Sequence, residues 1–446
     1  MSAAAQAAGA SAYATRHAII GAGFSGLGIA AAFSRQGVAF DVFEADADVG
    51  GNWYHGVYEH VHIISSRKTT EYTDWPMPAD WPDFPSAAQM LAYLRGYAEH
   101  WGLRPHIELR TKVALVAPAA SGADGMWDVT LERADGTRET RTYGGVVVAN
   151  GHHWDRRFPD YPGTFAGETI HAKDYKSHAM LAGKRVLVIG GGNSACDIAV
   201  EASRSARSAH ITMRRGYWFL PKTMWGVPTA ELMKPWMPGR LQRAIVKSAV
   251  RVIVGRYQDY GLAEPDHEPF ERHPTINSEL LHQLRHGLVS AHPDIRRWDG
   301  HFVEFVDGTR AEIDLVVCAT GYHVSFPFLA QGVVEFNRHG MPRLIGGMMP
   351  PQHKNLYVFG VGQPRYGAGP LISAGADMLC SMVATQKQLA HPLGAVMERL
   401  GARPPRTHIQ DPFQILRTVR IGKKILPRLP AIESWIMRNG GKSTHA

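Results

Sequence analysis

Residues 17–46 read HAIIGAGFSGLGIAAAFSRQGVAFDVFEAD, and this stretch decides the fold. A short apolar strand ends at Ile20, a G-x-G-x-x-G turn and a helix follow, and a second strand ends at Glu44. The three glycines of the turn are Gly21, Gly23 and Gly26. Such a turn predicts a dinucleotide-binding unit, because its glycines allow a tight bend, close approach of a pyrophosphate and close helix–strand packing.

Residues 184–215, KRVLVIGGGNSACDIAVEASRSARSAHITMRR, repeat the same pattern. The first strand of this unit ends at Ile189, and its second strand is predicted to end at Arg214 and Arg215. The turn carries Gly190, Gly192 and Ala195. Two such units in one chain predict two dinucleotide sites; the alternative is a pair of purely structural strand–helix–strand units.

The residue at the end of each second strand distinguishes the two predicted sites. The Glu44 carboxylate can accept hydrogen bonds from ribose hydroxyls and would repel a 2′-phosphate, which suits FAD or NAD. Arg214 and Arg215 can donate charge-assisted hydrogen bonds to a phosphate, which suits NADPH. The alternative for the arginines is a solvated strand end.

Residues 45–56, ADADVGGNWYHG, follow the first unit. Gly51 is expected to bend the chain back, so that Asn52 and Trp53 lie along a flavin-sized ligand; Trp53 could instead belong to an ordinary core. An FAD site followed by an NADPH site implies hydride transfer to the flavin. The cysteines do not form a Cys-x-x-Cys pair, so dioxygen is the expected electron acceptor.

The predicted fold class is α/β, with two Rossmann-like domains and the NADPH-binding domain inserted in the FAD-binding domain. Apolar strands followed by small-residue turns, at 142–154 and 313–328, predict the crossings between domains. The predicted ranges are 1–164 for the first part of the FAD domain, 165–320 for the NADPH domain, and 321–446 for the rest of the FAD domain with the C-terminal tail.

Residues 216–275 are rich in Trp, Pro and Met and follow neither helix nor strand periodicity. This segment is interpreted as an irregular helical cap, with a substrate-access element as the alternative. At the C-terminus, residues 417–442 alternate basic and apolar side chains, and Pro427 and Pro430 are expected to limit any helix. A docked or frayed tail is predicted, and contact with a membrane surface is left open.

The composition fits a globular protein of more than one domain: 446 residues, 45% hydrophobic, with a net charge of +8. Nucleotide cofactors account for the basic charge without nucleic acid, since no Lys/Arg block occurs, and no metal site is predicted. Residues 1–16 are expected to form a disordered tail rather than a signal peptide, and no apolar stretch is long enough to span a bilayer. A cytoplasmic location is expected, and the oligomeric state stays open, with a homodimer as one option.

Residues 165–176, FAGETIHAKDYK, lie between the two glycine turns and carry a spaced pattern in an otherwise loop-like stretch. The pattern resembles the F-x-G-x-x-x-H-x-x-x-[YF] fingerprint of the flavin-containing monooxygenases, the class B flavoprotein monooxygenases. The matching residues are Phe165, Gly167, His171 and Tyr175. In that family the loop lies where the two domains meet and helps to hold them in working geometry.

The resemblance extends over about residues 14–390. The stretches that carry it are GGNW at 50–53, NGHHW at 150–154, GGGNSACDIA at 190–199, ATGYHVSFPF at 319–328 and NLYVFGVGQP at 355–364. In the last stretch, Gln363 is a candidate neighbour of the flavin.

The resemblance implies that NADPH reduces FAD, that reduced flavin and dioxygen form a C4a-hydroperoxide, and that a small organic substrate takes one oxygen atom. A fingerprint ending in Tyr175 favours N- or S-oxygenation, because Baeyer–Villiger members usually end in Trp. The alternatives are Baeyer–Villiger or oxidative-decarboxylation chemistry on the same intermediate, or an NADPH oxidase or flavin reductase. A flavin-binding escort without activity would need a broken second turn, and that turn is intact.

Many members have an Asn beside the flavin, ten residues before an Asp–aromatic pair. Counting back from Asp74 gives Ile64, so this Asn is missing here. His62, Ser65 and Ser66 are nearby polar substitutes. Together, the motifs and the resemblance suggest Ile64, Ser66, Gln363 and His171 as catalytic-site residues, with His171 organising the loop rather than acting on oxygen. The predicted cofactor-binding residues are Gly21, Gly23, Phe24, Ser25, Gly26, Glu44, Gly51, Asn52, Trp53, Ser65, Val113, Asn150, Gly190, Gly192, Asn193, Ser194, Ala195, Asp197, Arg214, Arg215 and Gln363.

Overall fold

The first of two parallel sheets is built around the strand that precedes the first glycine turn. The computed structural model describes residues 12–234 and 236–439. This sheet has five parallel strands, in the spatial order Leu356–Val358, Gly145–Val148, His17–Ile20, Phe40–Phe43 and Ile107–Glu108. Most of its residues are fully buried, as expected for a parallel sheet covered on both faces.

The second parallel sheet contains the strand that precedes the second glycine turn. Its five strands lie in the order Glu168–His171, Leu315–Cys318, Arg185–Ile189, Ser208–Thr212 and Ser290–His292. All five of its strands lie between residues 168 and 318. The first sheet, in contrast, takes strands from before and after that stretch of the chain. The fold is therefore mixed α/β with two parallel sheets.

A three-stranded and a four-stranded sheet accompany the parallel ones, together with pairs of two-residue strands. The three-stranded sheet is an antiparallel meander of Thr111–Pro118, Trp127–Arg133 and Arg138–Tyr143. The other contains, in spatial order, Arg310–Glu312, Phe302–Phe305, Ile295–Gly300 and Gly163–Phe165. The segment boundary expected at residue 164 falls inside the last of these strands, which pairs with residues 298–300.

The longer helices cover the parallel sheets and form the C-terminal region. They are Phe24–Arg35, Ala87–His100, Asn193–Ser205, Gly239–Ile253, Gly369–Gln386, Pro412–Ile425 and Leu429–Asn439. Shorter α-helices are Asn52–His55, Arg67–Thr70, Thr229–Leu232, Glu279–Arg285 and Leu393–Arg399, and 3₁₀ turns are Arg104–His106, His178–Leu181, Tyr257–Tyr260 and Leu426–Arg428. Two-residue strands are Asp155–Arg156, Phe219–Leu220, Thr223–Met224, Val227–Pro228, Thr275–Ile276, Tyr322–His323, Gln363–Pro364 and Ile409–Gln410.

The segment 216–275 is more regular than its sequence suggests. It contains the 15-residue helix Gly239–Ile253, whose buried side chains include Val246 and Val250. These residues belong to the same apolar cluster as Val186 and Ile198 of the second strand–helix unit. The segment therefore covers one side of the second sheet, as the cap interpretation requires.

The C-terminal region is helical, and its prolines limit the helices as expected: helix Pro412–Ile425 ends two residues before Pro427, and a new helix begins at Leu429. Pro427 lies in a short 3₁₀ turn, and Pro430 is the second residue of helix Leu429–Asn439. A proline in the first turn of a helix is tolerated, because the N–H groups there have no intrahelical partner. Leu426, Leu429 and Ile436 are fully buried in the first core, so the region is docked up to residue 439.

The predicted N-terminal tail falls largely on residues 1–11, which lie outside the described residues, as do residues 440–446. Within the described part of the chain, every helix is too short or too polar to cross a bilayer.

Candidate functional site

The first glycine turn forms a narrow cradle at the start of helix Phe24–Arg35. Gly21 has a φ of +103°, a conformation that side chains rarely adopt. A Cβ atom added at Gly26 would lie 1.9 Å from the Gly21 carbonyl oxygen, so only glycine fits there. A Cβ atom at Gly23 would meet only backbone atoms of Gly51, the nearer at 3.5 Å. The turn is thus closed on the helix side and open at Gly23, as pyrophosphate binding at a helix N-terminus requires.

Glu44 lies beside this cradle and is buried. Its Oε2 accepts a hydrogen bond from Ala22 N at 2.7 Å, and its Oε1 accepts one from Asp46 N at 3.1 Å. Burial raises the pKa of this carboxyl above its ordinary value. The two hydrogen bonds lower the pKa, but by less than burial raises it. Each oxygen keeps a second lone pair, so the group can still accept a hydrogen bond from a ribose hydroxyl.

The glycine pair after the second strand closes on the same cradle. A Cβ atom at Gly51 would lie 2.9 Å from the Gly23 Cα atom. Asn52, the next residue, accepts a hydrogen bond through Oδ1 from Lys173 Nζ of the fingerprint loop. Burial lowers the pKa of Lys173 to about 8. Trp53 packs against the first apolar core, so a core role accounts for this side chain without a ligand.

Phe24 and Ser25 attach the first helix to its surroundings. The Phe24 ring stacks on Tyr72 with centroids 4.5 Å apart. Ser25 packs so closely on Gly360 that a Cβ atom there would lie 2.2 Å from Ser25 Oγ. Val113 is buried in the apolar cluster of the antiparallel meander, so only its backbone could contact a cofactor.

The second glycine turn has a similar geometry. Gly190 has a φ of +131°, and a Cβ atom there would lie 2.5 Å from the Ala319 carbonyl oxygen. A Cβ atom at Gly192 would meet nothing within 4 Å. Ala195 stands at the third position and is fully buried, so the helix here keeps room for one methyl group. This turn is also open at its second glycine, on the side where a pyrophosphate would bind.

Two side chains of the second helix that we expected at the cofactor form hydrogen bonds within the fold. Asn193 Oδ1 accepts a hydrogen bond from Ile276 N at 2.7 Å. Asp197 accepts one from Tyr58 and one from Asn277, both at 2.8 Å, and burial raises its pKa. The Asp197 side chain therefore has a structural role, and its contact with the cofactor stays a prediction. Ser194 is exposed in the first turn of the helix.

Arg214 and Arg215 lie in a bend after the strand Ser208–Thr212, which ends two residues before the end that we expected at Arg214. Arg214 is exposed, whereas the Nε of Arg215 is buried without a hydrogen-bond partner. The Arg215 guanidinium lies 5.8 Å from the ring centroid of Tyr217. Tyr217 in turn packs on Gly191 of the second turn, where a Cβ atom would lie 2.3 Å from the ring. An unpaired guanidinium donor beside this turn fits an anionic ligand group.

Arg157 is a third arginine in this region, and the motifs did not identify it. Its Nε donates to the Thr320 carbonyl oxygen at 3.0 Å. Burial lowers its pKa most, and the positive charges of Arg214 and Arg215 lower it further. The dipeptide Arg156–Arg157, directly after the first predicted crossing, was the available signal.

The fingerprint loop joins several parts of the chain. His171 Nε2 donates to the Gly321 carbonyl oxygen at 3.0 Å, and its Nδ1 accepts a hydrogen bond from Lys173 N at 3.1 Å. Both contacts need a neutral imidazole, in agreement with burial lowering the pKa of His171. Phe165 packs on Gly167, where a Cβ atom would lie 2.6 Å from the ring. His171 is therefore held in a backbone network.

Tyr175, the last fingerprint residue, is completely buried. Its hydroxyl donates to the Glu201 carboxylate on helix Asn193–Ser205. The same carboxylate lies 3.2 Å from His60 Nδ1. The end of the fingerprint is thus anchored to the helix that follows the second glycine turn.

Gln363 and Asn150 lie near the predicted crossings. Gln363 Nε2 lies 3.3 Å from His153 Nε2. Asn150 donates from Nδ2 to the Ser325 carbonyl oxygen at 3.2 Å, while its Oδ1 is buried without a partner. An unpaired buried acceptor is costly, which makes Asn150 Oδ1 a candidate contact for a bound ligand.

The family model described as flavin-binding monooxygenase-like matches residues 14–380. The chain belongs to this family. Flavin-containing monooxygenase 5 of Homo sapiens is 32% identical over 379 residues, which cover 78% of this chain and 69% of that protein. Flavin-containing monooxygenase 3 of Homo sapiens is 33% identical over 357 residues, covering 75% and 66%. The match thus spans about two thirds of the length of these relatives.

Solved structures show the same fold at lower identity. The S-allyl-L-cysteine S-oxygenase from Allium sativum superimposes with a TM-score of 0.65 at 20% identity, covering 95% of this chain and 94% of that one. As a flavin-containing monooxygenase, the protein is a flavin-dependent oxidoreductase with FAD and NADPH as its cofactors. The two cradles, the unpaired Arg215 Nε and the unpaired Asn150 Oδ1 are consistent with such ligands.

Ile64 is the residue at which we expect this flavin-containing monooxygenase to depart from the Asn of many members. Ile64 is half-buried and packs against the apolar cluster of the second sheet, whereas Ile63 belongs to that of the first. Ile64 thus lies between the two cores. Ser65 Oγ is 2.7 Å from Thr70 Oγ1.

Ser66, which we expected in the catalytic site, has a structural role. It is completely buried and caps the short helix Arg67–Thr70, where its Oγ accepts a hydrogen bond from Thr69 N. The Thr69 hydroxyl accepts a hydrogen bond from Ser66 N in return. This reciprocal capping gives Ser66 a structural role, and its place in the catalytic site stays a prediction. His62 is exposed, and its Nδ1 bonds the His60 carbonyl oxygen.

Proposed function

We propose that the protein transfers one oxygen atom from dioxygen to the nitrogen or sulfur of a small organic substrate, at the expense of NADPH. The observation that carries this proposal is the fingerprint loop. It ends in Tyr175 and contacts elements that belong to each of the two glycine turns. Through Lys173 it reaches Asn52 beside the first turn, and through Tyr175 it reaches Glu201 on the helix of the second. Such a loop is suited to keep two nucleotide cofactors in one relative geometry.

The first cradle is the proposed FAD site and the second the proposed NADPH site, in two Rossmann-like domains with the second inserted in the first. The backbone at Gly23 and the Glu44 carboxylate would hold the adenosine diphosphate part of FAD. The backbone at Gly192 would hold the pyrophosphate of NADPH, and Arg214 and Arg215 its 2′-phosphate. When bound, FAD reduced by NADPH supplies the activated oxygen that the substrate takes.

The residues of the chain contribute mainly by positioning and by excluding water. His171 is neutral and has both ring nitrogens engaged, which argues against proton transfer to the substrate by this residue. Ile64 offers apolar area between the two cores. A site that excludes water favours oxygen transfer over release of peroxide, but Ile64 cannot hydrogen-bond the bound cofactors as an Asn could, so we expect it to allow more peroxide release.

A substrate screen tests the proposal. Purified protein with FAD, NADPH and dioxygen is offered tertiary amines, sulfides and ketones, and NADPH consumption and product mass are followed together. One oxygen atom added to amines or sulfides per NADPH consumed is the expected result. Esters or lactones from ketones would instead indicate Baeyer–Villiger chemistry, and peroxide alone would indicate an oxidase.

A further inference from the structure

A cluster of two histidines and a glutamate lies on the surface at some distance in sequence from both glycine turns. Glu59 and His60 follow the short helix Asn52–His55, and His178 begins the 3₁₀ turn His178–Leu181. All three side chains are exposed, and one potential ligand atom from each lies within 4.8 Å of the others. We propose that Glu59, His60 and His178 bind a divalent transition-metal ion of the Zn²⁺ class.

The local structure holds the three side chains together. Glu59 N donates to the Lys176 carbonyl oxygen at 2.9 Å, which fixes the two segments side by side. The rings of His60 and His178 are stacked, with centroids 5.9 Å apart and planes 26° apart. The cluster therefore depends on backbone pairing rather than on chance contact of long side chains.

A carboxylate behind His60 orients its ring. His60 Nδ1 lies 3.2 Å from Glu201 Oε1, which leaves Nε2 of the same ring for a metal ion. Glu201 is itself held by the buried hydroxyl of Tyr175. A carboxylate that binds the second nitrogen of a ligating histidine is a recurrent feature of zinc sites, where it fixes the ring and raises its basicity.

The ligand types select the class of metal. Two imidazoles and one carboxylate leave a fourth tetrahedral position for water, as in open zinc sites. Metal–ligand bonds of about 2.0–2.2 Å require the three side chains to close in, which their exposure allows. Mg²⁺ prefers oxygen ligands and should not bind appreciably.

A bound ion would cross-link residues 59–60 to residue 178. Glu59 N already bonds the Lys176 carbonyl oxygen, so the ion would reinforce an existing contact between these segments. Because the ion binds the folded chain, it should raise the midpoint of thermal unfolding. The site needs no redox chemistry and is independent of the proposed oxygenation.

Calorimetric titration of the chelator-treated, FAD-loaded protein with ZnCl₂ tests the site. The wild-type protein should bind one more Zn²⁺ per chain than His60→Ala or His178→Ala, and Glu201→Gln should bind it about 10–100-fold more weakly. His339→Ala is the matched control, since His339 is also exposed but lies outside the cluster. Titration with MgCl₂ should give no comparable binding.

Circular dichroism and flavin absorbance establish that each variant is folded. Equal Zn²⁺ stoichiometry and affinity in the wild type, His60→Ala and His178→Ala would overturn the proposal. So would an equal loss in His339→Ala, because the binding would then not depend on the cluster. An unchanged unfolding midpoint with saturating Zn²⁺ would contradict the cross-link.

Discussion

His171 donates a hydrogen bond to the carbonyl oxygen of Gly321, 150 positions further along the chain, over 3.0 Å. This bond connects the fingerprint loop to the turn that follows the strand Leu315–Cys318 of the second sheet. His171→Leu removes it together with the bond from Lys173 N. We expect flavin reduction by NADPH to slow by about 2–10-fold per lost bond, or NADPH use to become uncoupled from oxygenation.

Stopped-flow reduction and the ratio of product to consumed NADPH measure these effects. His286→Leu, at an exposed position, serves as the control. If His171→Leu reduces its flavin and transfers oxygen as the wild type does, the fingerprint histidine does not organise the site.

Gly23→Val should give folded but colourless protein. A side chain at Gly23 meets only Gly51 within 4 Å, so the fold tolerates it, but the added atoms occupy the place where pyrophosphate would bind. Gly96→Ala is the control, since a Cβ atom at this helical position meets nothing within 4 Å. Absorbance near the flavin bands and circular dichroism separate the two effects, and full flavin content in Gly23→Val would contradict the assignment of the first cradle.

Arg215→Ala should raise the KM for NADPH by about 10–150-fold and leave that for NADH nearly unchanged. Hydrogen bonds to charged groups are worth roughly 1.5–3 kcal/mol, which corresponds to that range. Arg214→Ala should have a smaller effect, because Arg214 is exposed. Arg204→Ala, at an exposed ion pair with Glu279, is the control in steady-state kinetics with both coenzymes. Equal losses for NADPH and NADH would instead indicate a structural role of Arg215.

Ile64→Asn should reduce the peroxide released per NADPH in the absence of substrate. An amide at this position can hydrogen-bond the bound cofactors, which an isoleucine cannot. Leu115→Asn, at an exposed position of the meander, is the control. A peroxide assay run under air decides the matter: equal or greater leakage in Ile64→Asn would show that Ile64 does not replace the family Asn.

His17 should make the protein sensitive to acid. Both of its ring nitrogens are buried without hydrogen-bond partners, and burial lowers its pKa to about 4. Below the ordinary histidine pKa of about 6.5 the unfolded chain takes up the proton first, so falling pH destabilises the fold until about pH 4. The resulting loss in the free energy of unfolding is about 3 kcal/mol, from the shift in the pKa of His17.

His17→Leu removes this contribution. Urea unfolding at pH 7.5 and 5 should show a smaller loss of stability in His17→Leu than in the wild type. An identical pH dependence of the free energy of unfolding would mean that His17 does not titrate as its burial requires.

The parts of the site that depend on local spacing could be predicted from the sequence. The glycine turns follow from strand, turn and helix signals within about 30 residues, and the expected strand end at Ile20 agrees with the structure. The strand end expected at Arg214 was two residues too late, since the strand ends at Thr212 and the two arginines lie in a bend.

Long-range partners could not be predicted. Asp197 is adjacent to the second turn in sequence, but its oxygens bind Tyr58 and Asn277, which no local pattern indicates. The capping role of Ser66 could not be predicted either, because its capping partner is Thr69 rather than the usual Glu or Gln. Arg157 was missed because its proximity to Arg214 arises only in the folded chain.

The strand Leu356–Val358, which completes one edge of the first sheet, is made more than 300 residues after the strand His17–Ile20. The second sheet, in contrast, draws all of its strands from residues 168–318. During synthesis, the second sheet can therefore assemble while the first still lacks an edge strand and the helix Gly369–Gln386 that packs on Phe24–Arg35. On the ribosome, the sheet behind the cradle at Gly192 can therefore be complete before the sheet behind the cradle at Gly23, although its residues are translated later.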